Sequence, residues 1–260
     1  MTSLGWSASS SSSYYARTRN RALLMAMLYL ACAAAVRAAA LEAPAQLIEA
    51  LRSPEAATSA AAEKKLIAAG PEAVRPLVEL AVREPERQEG VTRLLAMMGP
   101  AAVPKLLELV KDPALQSYAG TALSQVVGPR SADQAPALLA CMKDASVKNY
   151  CAQALVRAMG PKASAQLPLL LEALKNRDRD FRAYGAGAIG QIGPNAKAAV
   201  PALILTIGDG DSLVRQSAAI ALGKIGRKAK AAIPALEALR QSPDGDLRRV
   251  SGEALKKIRG

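Results

Sequence analysis

Gly185-Ala186-Gly187-Ala188-Ile189-Gly190 matches the dinucleotide-binding pattern G-x-G-x-x-G letter for letter. That chemistry needs a strand before the glycines and a helix opening at them, so that free backbone amides can meet a pyrophosphate. No segment of the chain alternates with the two-residue period of a strand, so the pattern lacks its context and no cofactor is expected. Histidine is absent from all 260 residues. Its absence excludes Ser-His-Asp and Cys-His catalysis, H-E-x-x-H zinc sites and the two-histidine iron triad. The chain therefore reads as non-enzymatic, with no catalytic residue and no metal site.

Other side chains carry binding or redox chemistry. Cys141 and Cys151 are not part of a C-x-x-C motif; they fall near the end of one helix and the start of the next. In an oxidising compartment they form a disulfide, and otherwise they are buried thiols. Tyr118, Tyr150 and Tyr184 share one position, two residues after Gln116, Lys148 and Arg182. A row of tyrosines flanked by Lys148 and Arg182 is an anchor set for a protein or peptide partner; the plainer alternative packs the rings between helices. A basic patch closes the chain, formed by Lys224, Arg227, Lys228, Lys230, Arg248, Arg249, Lys256 and Lys257. It suits an anionic surface, nucleic acid or an acidic protein, or else a solvated end. The missing aromatics around Lys224 to Lys230 weigh against nucleic acid.

A repeat of 33 residues positions these groups. Pro168, Pro201 and Pro234 lie 33 apart, as do Asp178, Asp211 and Asp244, Arg182, Arg215 and Arg248, and Gly160, Gly193 and Gly226. Self-similarity at this period means stacked supersecondary units that bury their apolar faces only against neighbours. Composition agrees: 51% of the residues are apolar but only 3% aromatic, so the core is built from Ala, Leu, Val and Ile of closely stacked helices. Val214, Ala218, Ala221, Leu222 and Ile225 form a stripe at helical spacing, and Gly226 ends it. The expected fold is all-α, an α-solenoid of about seven helical hairpins with units near 41–69, 70–98, 99–127, 128–159, 160–192, 193–225 and 226–260. In that frame the G-x-G-x-x-G glycines lie inside a second helix, where close approach of a neighbouring helix explains them. Each repeated Asp is expected to cap its second helix and to pair with the Arg four residues on.

The first-helix prolines, the strings Asp209-Gly-Asp-Ser-Leu-Val-Arg215 and Asn176-Arg-Asp-Arg-Asp-Phe-Arg182, and the endings Ala-Leu-Gly-Lys-Ile-Gly226 and Ala-Ile-Gly-Gln-Ile-Gly193 resemble bacterial HEAT repeats, specifically the short type of the phycobilisome lyases. The resemblance implies a curved solenoid whose second helices line the concave face and bind a protein or peptide. It also implies, as an alternative, a lyase-like enzyme subunit of the bilin-lyase type.

Residues 1–40 read as a leader. Arg17, Arg19 and Arg21 precede the apolar stretch Ala22–Val36, and Ala38-Ala39-Ala40 offers a cleavage site. A basic segment, an apolar core and a small-residue site describe a secretory signal peptide, so the mature protein is expected to be exported, periplasmic or secreted. Membrane attachment through an uncleaved leader, or through lipidation at Cys32, is the disfavoured alternative. In that cysteine's case the leucine stands one position too far away. Charge is polarised along the rest: residues 41–90 hold nine acids against six bases, and residues 221–260 ten bases against four acids.

Overall fold

The computed structural model describes residues 44–260. The leader, its cleavage site and Cys32 lie outside the described residues. The described residues form an all-α solenoid of stacked hairpins and contain no strand. The first helices are α1 (Pro44–Leu51), α3 (Val74–Arg83), α5 (Val103–Leu109), α7 (Ala135–Cys141), α9 (Leu167–Ala173), α11 (Val200–Thr206) and α13 (Ile233–Leu239). The second helices are α2 (Ala56–Ala69), α4 (Gln88–Met98), α6 (Gln116–Val126), α8 (Lys148–Ala158), α10 (Arg179–Ile192), α12 (Ser212–Ile225) and α14 (Gly245–Arg259).

The repeated proline works differently from a residue inside one long helix. Pro104, Pro136, Pro168, Pro201 and Pro234 sit at the second position of α5, α7, α9, α11 and α13, each preceded by a 3-10 segment. Proline offers no N–H and crowds the carbonyl four residues back, so it opens an α-helix and cannot continue one. The linker between hairpins is therefore a 3-10 run, as in Gly193–Ala199 and Gly226–Ala232. Gly193 and Gly226 enter those runs at φ 66° and 69°, a region L side chains avoid. Gly128, by contrast, is extended at φ −148°, because Val127 leaves α6 in an extended conformation first.

The core is a continuous column of aliphatic side chains between the two layers, including Leu77, Leu95, Leu106, Leu123, Leu138, Leu155, Leu170, Ile189, Leu203, Leu222 and Leu255. Alanine and glycine set the spacing between hairpins. A Cβ on Gly190 would lie 3.0 Å from Ala221 Cα, and one on Gly223 2.9 Å from Ala254 Cα. These residues, three before the capping glycines, let α10, α12 and α14 touch backbone to backbone. Gly190 closes the G-x-G-x-x-G run, which lies wholly within α10. The even helices pack against one another from hairpin to hairpin and form one layer, called the inner face below after the concave layer that the HEAT resemblance implies.

Candidate functional site: the inner face and its recess

The hairpin turns are built first. Asp178, Asp211 and Asp244 are extended residues whose Oδ1 accepts amide hydrogens of the following helix: Asp180 N at 2.8 Å, Leu213 N at 2.9 Å and Asp246 N at 2.9 Å. Each satisfies a donor that the helix start leaves open, for about 1 kcal/mol. The expected ion pair with the arginine four residues on is not made. Arg182, Arg215 and Arg248 instead turn back and donate to carbonyls of their own turns: Asn176 and Arg177, Asp209 and Gly210, Ser242 and Pro243. Capping has already engaged the aspartates, and the turn carbonyls, which no helix satisfies, lie within the guanidinium's reach.

Lys148 and Arg182 are engaged within the stack. Lys148 Nζ lies 3.0 Å from Asp178 Oδ2 and 2.8 Å from Asp180 Oδ2 in the next hairpin. Those two carboxylates, Asp180 foremost, hold its ammonium above the ordinary lysine range. Arg182 grips Asp209 of the following hairpin with two parallel bonds of 2.7 and 3.0 Å, the bidentate geometry that strengthens such pairs. Ser212 Oγ donates to Asp244 Oδ2 at 2.6 Å, and Arg179 reaches Asp211 at 3.1 Å. The turns of the last four hairpins are thus joined across the repeats. Both residues proposed as partner contacts are spent on this lacing, because the next turn presents its carboxylates directly to them.

The tyrosines are also absorbed by the stack. Tyr118 is only 8% exposed, and its hydroxyl donates to the Gln88 carbonyl at 3.1 Å and shares a 2.8 Å bond with Thr92 Oγ1. Burial pushes its phenol above the usual value, the Thr92 bond working the other way, so it stays protonated at neutral pH. The Tyr150 ring covers Gly120, where a Cβ would come within 2.5 Å of Cγ. Tyr150 and Tyr184 are half-buried and packed against the core. The three rings thus pack into the stack to different depths, Tyr118 buried and Tyr150 and Tyr184 half-exposed. Glycine at 120 is the signal that could have shown it, since a ring fits there and a methyl group does not.

The inner face nevertheless holds a recess. Between α4 and α6 lies a cavity of about 690 Å³ lined by Gln88, Glu89, Thr92, Arg93 and Ala96 on one side and Ser117, Tyr118, Thr121 and Gln125 on the other. Ala96 occupies the position three before a glycine that is Gly190 and Gly223 farther on. Ser117, Thr121 and Ala96 are short and leave the space unfilled, while Tyr118 forms its floor. Arg93 is paired with Glu63 at 3.5 Å across the inner face. The lining is mixed polar and apolar, at the volume that small binding sites favour. A second hollow of about 570 Å³ opens on the outer layer between α9 and α11, beside Leu171 and the 80% exposed Leu205.

The basic patch divides in two. Arg248 is tied to its own turn, and Arg249 pairs with Glu253 at 3.0 Å and Asp246 at 3.3 Å. Lys256 and Lys257 lie more than two helical turns farther along α14, about 12 Å away at 1.5 Å per residue. They join Lys224, Arg227, Lys228 and Lys230 at the opposite edge of the solenoid, all exposed.

Cys141 and Cys151 are joined by a disulfide, with Cα atoms 5.9 Å apart. It ties the end of α7 to the first turn of α8. Closing so short a loop restricts the unfolded chain by about 2–3 kcal/mol. Reduction is expected to lower the denaturation midpoint, and the Cys141→Ser/Cys151→Ser variant should match the reduced protein and ignore reductant. Equal midpoints for oxidised and reduced protein would show that the bond contributes nothing.

Among the described residues no cluster of His, Cys, Asp and Glu could hold a metal ion, and no helix is long and apolar enough to cross a membrane. The architecture defines a helical-repeat solenoid. Residues 167–256 match the family described as HEAT repeats. Similar solved structures include an engineered protein (22% identity, 84% of this chain, 98% of that one, TM-score 0.49). A designed armadillo repeat protein in complex with the peptide (KR)4 gives 18%, 84%, 99% and 0.46. Human deoxyhypusine hydroxylase in complex with glycerol gives 19%, 83%, 96% and 0.37. No curated protein matches the chain.

Proposed function

We propose that the protein is an exported, non-catalytic scaffold that holds a segment of a protein partner along its inner face, with the recess between α4 and α6 as the anchor pocket. The recess carries this reading. It is the place on the inner face where short side chains leave about 690 Å³ open between two otherwise packed helices. Its polar rim of Glu89, Arg93, Thr121 and Gln125 suits the backbone amides and side chains of a polypeptide. In its wall, burial drives Tyr118 away from ionisation, so the phenol serves as a neutral hydrogen-bonding group. Export is supported by the apolar stretch Ala22–Val36 followed by Ala38-Ala39-Ala40, and by the Cys141–Cys151 bond, since such bonds persist in oxidising compartments.

Thr121 is exposed at the pocket mouth, so Thr121→Trp fills the space without disturbing the core. Partners captured from the cell envelope by the wild-type chain are expected to fall at least about tenfold with Thr121→Trp, at unchanged thermal stability. Equal recovery by both would refute the pocket.

A further inference from the structure

We infer that the edge of the solenoid formed by the C-terminal inter-hairpin linkers is a docking surface for an anionic phospholipid bilayer. The linkers 160–166, 193–199 and 226–232 contain Lys162, Lys197, Arg227, Lys228 and Lys230 and no acid. All five side chains are exposed, and none is ion-paired among the described residues. The acids of this half that lace the repeats, Asp178, Asp209, Asp211 and Asp244, lie at the hairpin turns, at the other end of the second helices. The edge is continuous. A Cβ on Gly193 would sit 3.7 Å from the Lys224 carbonyl, and one on Gly226 3.8 Å from that of Lys257. The exposed ends of α12 and α14 therefore adjoin the linkers.

Cations at a helix C-terminus are favoured by the helix dipole, and that accounts for Lys224 and Lys257. It does not account for Lys197, Lys228 and Lys230, which lie within linkers. Exposed Ala198 and Ala231 follow Lys197 and Lys230, so no bulky side chain adjoins them there to keep the ammonium groups from a flat surface. The edge is a rim and not a groove, carries mostly lysine, and lacks the aromatic faces on which unpaired bases stack. A planar layer of phosphate headgroups fits it better than a nucleic acid. Near such a surface each lysine contributes about fivefold in affinity, screened by salt.

The test is sedimentation of the full chain with phosphatidylcholine vesicles containing 30% phosphatidylglycerol, and with phosphatidylcholine alone, which measures any contribution of the leader. Binding to the anionic vesicles is expected and should fall steeply between about 50 and 500 mM salt. Lys228→Glu/Lys230→Glu is expected to weaken it by about 25-fold or more. Lys143→Glu/Lys175→Glu makes the same charge change at the turn edge and should leave it within a factor of about three. Equal loss in both variants would reduce the effect to net charge and overturn the assignment. So would failure to bind anionic vesicles, or binding to duplex DNA without binding to vesicles.

Discussion

Gly223→Leu is expected to lower the stability of the C-terminal hairpins by about 3 kcal/mol, seen as an earlier thermal transition in circular dichroism. The reason is the contact of α12 with α14. A bare Cβ at 223 would meet Ala254 Cα at 2.9 Å and Ala254 Cβ at 3.1 Å, and a backbone atom cannot swing aside as a side-chain tip can. Gly223→Ala isolates the effect. Helix propensity alone favours alanine by about 1 kcal/mol, yet the clash makes this variant less stable than wild type. Gly252 in α14 is the control, because nothing lies within 4 Å of its Cβ position. Gly252→Ala should raise stability by up to about 1 kcal/mol. A stabilised Gly223→Ala would mean that the repeats are not held at backbone contact.

Arg182→Ala should destabilise the protein by about 2 kcal/mol, because one side chain holds two turn carbonyls and the carboxylate of the next repeat. Removing it leaves Asp209, only 13% exposed, without its cation. Acid should act on the same links. Arg182 first of all holds the Asp209 carboxyl below the usual range, Lys148 does so for Asp178, and the Ser212 hydroxyl for Asp244. A carboxyl with a depressed folded value stabilises the fold above the unfolded value near pH 4, and that stability is lost as the pH falls through the folded value. Denaturation midpoints should therefore be level from pH 7 to about 5 and fall below about pH 4. Asp209→Asn should lie lower at pH 7 and show a shallower acid limb. A limb unchanged in Asp209→Asn would assign the acid sensitivity to other carboxyls.

The repeat frame was legible because its regular residues act on their own backbone. At the repeated positions proline opens a helix, aspartate caps one and, at 193 and 226, glycine ends one, so their spacing located the layers. The partners of Arg182 and Lys148 were not legible. A single helix offers Asp178 at i−4, whereas the carboxylates that these residues reach belong to the next repeat, and which turns face each other depends on how hairpins stack. The packing of the tyrosines was not legible for the same reason. Tyr118 and Tyr150 share a register, but only the short partners across the interface, Gly120 for one and Gln88 with Thr92 for the other, show that the rings turn inward. The recess lies between α4 and α6, where Ala96, Ser117 and Thr121 are short. Its opening depends on backbone distances that no single position announces.

On the proposed reading a partner lies on the inner face, at the recess. Photo-crosslinking in the native cell tests this most directly, with a benzophenone amino acid placed either at Thr121 on α6 or at Ala137, exposed on α7 of the outer layer. A discrete protein adduct from position 121 and none from 137 is the expected result. Adducts from 137 alone, or the same adducts from both, would contradict it.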